Sequence, residues 1–162
     1  MAAVGLLYVG AILFLNGTTD FAYPLDSYRK SYQLVPDRYR DLSVITNLPH
    51  GHIWTFPEVD AFADAALRHG EARCRASALR WRGDQLETRV NSRGAITNAT
   101  LCYTPDAGPW QKRVWQTTPA QISGRRISAT LPMERPLVAF LALTDRRGLR
   151  LSTEHIELPA QP

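Results

Sequence analysis

The pattern of apolar residues changes character at Gly70, and that change restricts what the chain can fold into. Before it, continuous apolar runs alternate with helical stripes. Ala11-Ile12-Leu13-Phe14-Leu15 reads as a strand buried on both faces and closed by a turn at Asn16-Gly17. Pro24 suits the first turn of a helix, and Leu25, Tyr28, Tyr32 and Val35 give that helix one apolar face until Pro36 stops it. Leu42-Ser43-Val44-Ile45 is a second strand ending near Pro49. Thr55-x-x-Glu58 matches a capping box with Pro57 in the first turn, and Val59, Phe62, Ala63, Ala66 and Leu67 make one core-facing stripe up to a cap at His69-Gly70.

Strand, helix, strand, helix implies parallel strands in an α/β layer. Two parallel strands need further neighbours and helices on both faces, so residues 1–70 read as the last part of a larger sheet. After Gly70, short segments of alternating polarity are expected to be strands: Arg73–Arg80, Gln85–Val90, Ala95–Tyr103, Gln111–Thr117, Arg125–Leu131, Leu137–Leu143 and Leu149–Ile156. Turn residues such as Gly83-Asp84, Arg93-Gly94, Ser123-Gly124 and Asp145-Arg146-Arg147-Gly148 separate them. Seven such strands in residues 71–162 point to a β-sandwich of immunoglobulin-like or fibronectin-like size. The expected fold class is therefore α/β followed by all-β.

Charge follows the same boundary. Residues 1–70 hold five Lys/Arg against seven Asp/Glu, and residues 71–162 hold fourteen against eight. The arginines are scattered singly or in pairs among acids, which reads as a solvated surface rather than a nucleic-acid interface. Cys74 and Cys102 lack metal-ligand spacing, so no metal or other cofactor is expected. One disulfide or two buried thiols both remain open. The apolar run at Ala2–Leu15 is shorter than the ~20 residues a membrane span needs. No Lys or Arg precedes it, which makes a poor signal peptide. Two sequons, at Asn16 and Asn98, are weak signs of export, and the compartment stays open between cytoplasmic and exported.

The chemistry-bearing residues lie in the first half. Asp20 follows the first strand by a short turn, and His50 follows the second. A carboxylate beside an imidazole fixes its tautomer and stabilises its protonated form, so the two together suit the acid and base of a catalytic triad. Asp20 taken alone reads more simply as a turn residue capping the helix at Pro24.

The stretch Asn16-Gly17-Thr18-Thr19-Asp20-Phe21-Ala22-Tyr23-Pro24, continuing through Leu25–Tyr32, resembles the carboxyl-terminal part of bacterial α/β-hydrolases. These are the acetylxylan-esterase-like, dienelactone-hydrolase-like and prolyl-oligopeptidase-like serine hydrolases. The resemblance continues through Leu48-Pro49-His50-Gly51-His52, Pro57–Asp64, Tyr103-Thr104, Trp110–Trp115 and Leu143–Leu149. It implies Asp20 as the triad acid and His50 as the base, with His52 as the alternative. It also implies an ester or peptide as the parent enzyme's substrate. The serine nucleophile is missing: no serine sits in the G-x-S-x-G pattern such enzymes carry upstream of the acid. The chain alone is then expected to be inactive, a fragment or one half of a split enzyme completed by an upstream-encoded amino-terminal chain.

The alternative is a non-enzymatic binding module in which the sandwich recognises a glycan or a protein on a scaffold of α/β structure. Trp81, Trp110 and Trp115, with Tyr103, are the aromatics that invite it, Trp110 and Trp115 being the substrate-binding candidates. Filling a small core or covering the interface with the first half is the simpler role for them. Arg113, between Trp110 and Trp115, is placed to stack on either ring.

Overall fold

The computed structural model describes residues 11–51, 55–91 and 96–160. The apolar residues before Ala11, the alternative base His52 and the turn at Arg93-Gly94 lie outside them. Strand β1 (Ile12–Thr19) and strand β2 (Arg40–Pro49) pair in parallel, joined by helix α1 (Leu25–Tyr32) and a single turn of 3₁₀ helix at Asp37–Tyr39. Helix α2 (Pro57–Leu67) follows. Nine strands then form two antiparallel sheets. β3 (Arg80–Arg82), β4 (Gln85–Arg89), β8 (Arg126–Thr130) and β7 (Gln121–Ser123) make one, in the order β3-β4-β8-β7. The other has β9 (Leu137–Asp145) and β5 (Ile96–Thr104) at its centre, with β6 (Gln116–Pro119) beyond β5 and with β10 (Arg150–Ser152) and β11 (Ile156–Leu158) both pairing with β9.

Alternation along the strands explains how these parts stack. Leu86, Ile127 and Ala129 of the first sheet meet Leu101, Leu137, Ala139, Leu141 and Leu143 of the second in one buried cluster. This is the interior of a β-sandwich, with side chains of period two pointing inward from both sheets. The intervening residues of β9, Val138 and Phe140, point the other way. They join Cys102 and Trp115 in a second cluster with Leu25 of α1 and Val44 of β2. β9 is thus buried on both faces, which is why it reads as the continuous apolar run Leu137-Val138-Ala139-Phe140-Leu141.

That second cluster corrects the reading of the first half. The apolar side of the β1–β2 pair packs through Val44 against Phe140, Trp115 and Val138, and among the described residues no further parallel strand pairs at its edge. Among the described residues there are two short α-helices and one parallel pair, and the rest of the sheet structure is antiparallel. Among the described residues, which are β-dominated, no α/β-hydrolase layer is present, so the resemblance to that family does not hold.

A buried polar cluster ties the two halves together. The Arg73 guanidinium donates to the Glu58 carbonyl at 3.0 Å, to Ser43 Oγ at 3.0 Å and to the Arg150 carbonyl at 2.9 Å. Asp41 lies 3.6 Å from its Nε. The expected capping box is absent: Phe56 is the N-cap of α2 without a side-chain bond, and Glu58 turns to Arg150 instead. The end of α2 is as expected in position but not in detail, since His69 itself adopts the left-handed conformation (φ 58°) and Gly70 N–H caps Asp64. Neither cysteine forms a disulfide, and both are buried. In the Asp145–Gly148 turn, Gly148 has φ 76°, the conformation a glycine adopts without strain.

Candidate functional site

The register of the parallel pair builds the site. β1 and β2 end side by side, with Thr19 opposite Pro49, so the next residue of each strand is Asp20 on one and His50 on the other. The pairing slips between Gly17 and Thr19. A Cβ on Gly17 would stand 1.8 Å from the Leu48 carbonyl oxygen, so this approach of the two backbones requires glycine. The expected turn at Asn16-Gly17 is therefore strand interior. Asn16 still shapes the following loop, because its Nδ2 donates to the Tyr23 carbonyl at 2.7 Å. On the β2 side, Asn47 sits at φ 59° and its N–H donates to Thr18 Oγ1 at 2.8 Å.

Asp20 is buried and fully engaged. Its Oδ1 accepts the Ala22 and Tyr23 N–H groups at 2.7 and 2.9 Å, the turn role. Both carboxylate oxygens also lie 3.0–3.1 Å from His50 Nδ1. A carboxylate has no proton to give, so Nδ1 carries the hydrogen of this contact and Nε2 is left outside it. The His50 side chain is 40% exposed while that of Asp20 is 8% exposed, which leaves an oriented imidazole open to solvent. Among the described residues, no hydroxyl or thiol hydrogen-bonds this imidazole.

Two aromatic residues that the sequence reading passed over complete the cluster. Phe21 and Tyr23 have ring centroids 5.1 and 5.9 Å from that of His50. They are 67% and 58% exposed, among the most open large aromatic side chains described. The signal was available: both stand in the turn that Asp20 organises. Below them the Tyr28 hydroxyl donates to the Leu15 carbonyl, and burial first, then the Asp20 charge, raise its pKa well above the ordinary phenol value.

The tryptophans differ in exposure and in what holds them. Trp115 is 5% exposed and packs edge-on against Phe140, in the position of a core residue. Trp110 is half-buried; the Arg113 guanidinium lies over its ring at 3.7 Å and the His155 ring stands at 5.4 Å. Trp81 is half-exposed, its ring N–H tied to the Gly83 carbonyl of its own hairpin. Tyr103 bonds Gln116 across the β5–β6 pair. Among the described residues no group of His, Cys, Asp and Glu is placed to hold a metal ion. None of the described helices is long and apolar enough to cross a membrane.

No protein-family description matches the chain. Nor does any curated protein match it. A solved structure to which it is similar is a carbohydrate-binding module of family 56, a β-1,3-glucan-binding domain. The identity is 15% and the TM-score 0.34, over 53% of this chain and 98% of that one. The chain's own sheets correct the expectations of a serine hydrolase, esterase or peptidase fragment: the described residues are predominantly β, with a β-sandwich as the main body.

Proposed function

We propose that the protein is a non-enzymatic binding module for a glycan. In this reading an immunoglobulin-like or fibronectin-like sandwich of residues 71–162 is the stable body. The segment 1–70 presents the ligand surface. The observation that supports it is the exposure of Phe21 and Tyr23 around an imidazole that Asp20 holds in place. Neighbouring aromatic faces left in water are apolar surface that a partner can cover, and a few polar groups placed among apolar ones are what fixes a ligand's orientation. A sugar presents both kinds of surface: C–H faces for the rings, hydroxyls for His50.

Affinity electrophoresis in gels containing β-1,3-glucan, xylan or neither tests it. Retardation by a polysaccharide, lost in Phe21→Ala and Tyr23→Ala while the fold is kept, is the expected result. Unretarded migration in every gel, or retardation indifferent to both substitutions, would remove the reading.

A second reading draws on the 3.0 Å contact of His50 with Asp20. There His50 is a base and Asp20 positions it, acting on a proton brought by the ligand or by a second chain. Its test is chemical. Carbethoxylation of His50 should slow several-fold in Asp20→Asn, while the exposed His69 reacts unchanged. Equal slowing of both residues, or of neither, counts against a poised base.

A further inference from the structure

At the end of β2 away from His50, the segment 37–42 and the sandwich enclose a cleft of about 670 Å³. Its sandwich wall is made by segments 75–79, 89–91 and 152–156 together with Arg125. That size is ordinary for a small-molecule site and too confined for a duplex. Five arginines line it, Arg38, Arg40, Arg75, Arg89 and Arg125, against two acids, Asp37 and Glu154.

Both acids are already spent on one arginine. Asp37 and Glu154 each bond the Arg40 guanidinium. Arg75 donates to the Arg38 carbonyl at 2.7 Å and lies 3.7 Å from Asp41, so it is partly satisfied. Arg38 rests over the Tyr39 ring at 4.6 Å. Among the described residues, Arg38, Arg89 and Arg125 form no ion pair.

Arg89 is also badly placed for stability. It stands directly opposite Arg126 in the β4–β8 register, and like charges in that position repel. Glu87 relieves Arg126 at 2.8 Å, which leaves Arg89 uncompensated. The Val90 N–H to Arg125 carbonyl bond, 2.9 Å, keeps Arg125 beside it. The acceptors that line the cleft are occupied in turn. Ser152 Oγ accepts Val44 N–H, Thr153 Oγ1 accepts Leu141 N–H, and Asn91 Oδ1 accepts Arg75 N–H. The three uncompensated guanidinium groups are donors only, rigid forks suited to paired anionic oxygens.

We propose that this cleft binds a small polyanion, whose carboxylate or phosphate oxygens are held by Arg89 and Arg125 on one wall and Arg38 on the other. The site is separate from the Asp20–His50 cluster and does not depend on its function.

Calorimetric titration of the full chain with citrate, with inorganic tripolyphosphate and with neutral maltotriose tests this. Binding of citrate, of tripolyphosphate or of both, but not of maltotriose, is expected, and the arm that binds names the oxyanion. Arg89→Gln and Arg125→Gln should each weaken it by about tenfold or more, the value of a charge-assisted contact. Arg82→Gln, outside the cleft but of equal charge change, should leave it unaltered. Because all three side chains are exposed, thermal melting should show the variants folded. No binding by either anion, or equal weakening by Arg82→Gln, would overturn the assignment.

Discussion

The Glu58 carboxylate grips Arg150 at three points: Oε1 accepts both the backbone N–H and Nε–H at 2.8 Å, and Oε2 accepts Nη2–H at 3.0 Å. Glu58 is wholly buried, in the first turn of α2, and Arg150 opens β10 of the sandwich. Burial alone would raise the carboxyl pKa, but the bonds and charge of Arg150 outweigh it and leave the pKa below its ordinary value. The contact therefore fastens the α/β segment to the sandwich in its ionised form.

Removing one partner of a buried pair strands the other charge. Glu58→Gln should cost about 3 kcal/mol, the low end for such pairs because the Arg150 side chain remains 35% exposed. In a chain of this size that corresponds to a fall in Tm of roughly 6–12 °C. Urea denaturation at neutral pH measures it. A loss within about 0.5 kcal/mol, the range of an ordinary surface change, would show that the clamp contributes little.

The aromatic residues divide into core and surface, and substitution should separate them cleanly. Trp115→Ala empties a space against Phe140 and Val138 and should cost about 3–5 kcal/mol. Phe21→Ala and Tyr23→Ala remove exposed rings and should change stability by no more than about 0.5 kcal/mol. Polysaccharide retardation should respond in the opposite order. Loss of retardation in Trp115→Ala while its melting curve matches that of the unsubstituted protein would reverse the two roles.

Much of this division was legible in the sequence, and its failures have physical causes. Period-two alternation located β4, β5, β8 and β9 to within a residue or two. It overextended the segment Arg73–Arg80, where only the bridge of Ala76 with Val90 and the start of β3 are sheet. It also missed β7, three exposed residues with no apolar pattern to show. The adjacency of Asp20 and His50 follows from strand ends, a local property. What the sequence did not disclose were long-range choices. Glu58 fits a capping box by spacing, yet it is drawn to an arginine 92 residues away. The apolar faces of Leu25 and Val44 demanded cover, and pattern alone suggested more parallel strands where the structure supplies Phe140 and Trp115.

Gly17 offers a test of how the Asp20–His50 pair is positioned. Any side chain there meets the Leu48 carbonyl at 1.8 Å, a backbone atom that cannot swing away. Gly17→Ala should force β1 and β2 apart where their register shifts, three residues before Asp20. A cost of about 1–3 kcal/mol is expected, as for other overpacked sites. The more telling readout is the His50 imidazole, whose nitrogen shifts by NMR should lose the signature of an Nδ1–H held by a carboxylate. Shifts unchanged in the folded variant would mean that the loop holds the pair without the strands.

His155 sets an expectation for acid stability. It is buried against Trp110, with Nε2 3.3 Å from Glu157 Oε1. Burial is the chief reason that its pKa falls from 6.5 to about 4; the Arg29 charge adds to the fall, and Glu157 and Asp26 oppose it. The folded state thus keeps this imidazole neutral where the unfolded chain would protonate it. Between those two values the unfolded state binds more protons, so stability rises with pH across that window. The contribution is complete above the unfolded value and is lost progressively as pH falls toward the folded one. Urea midpoints should therefore decline from about pH 7 to about pH 5, before most carboxylates titrate. His155→Gln should be less stable at neutral pH through lost packing, yet show a shallower decline over the same interval. Parallel declines in the two proteins would transfer the effect to other groups.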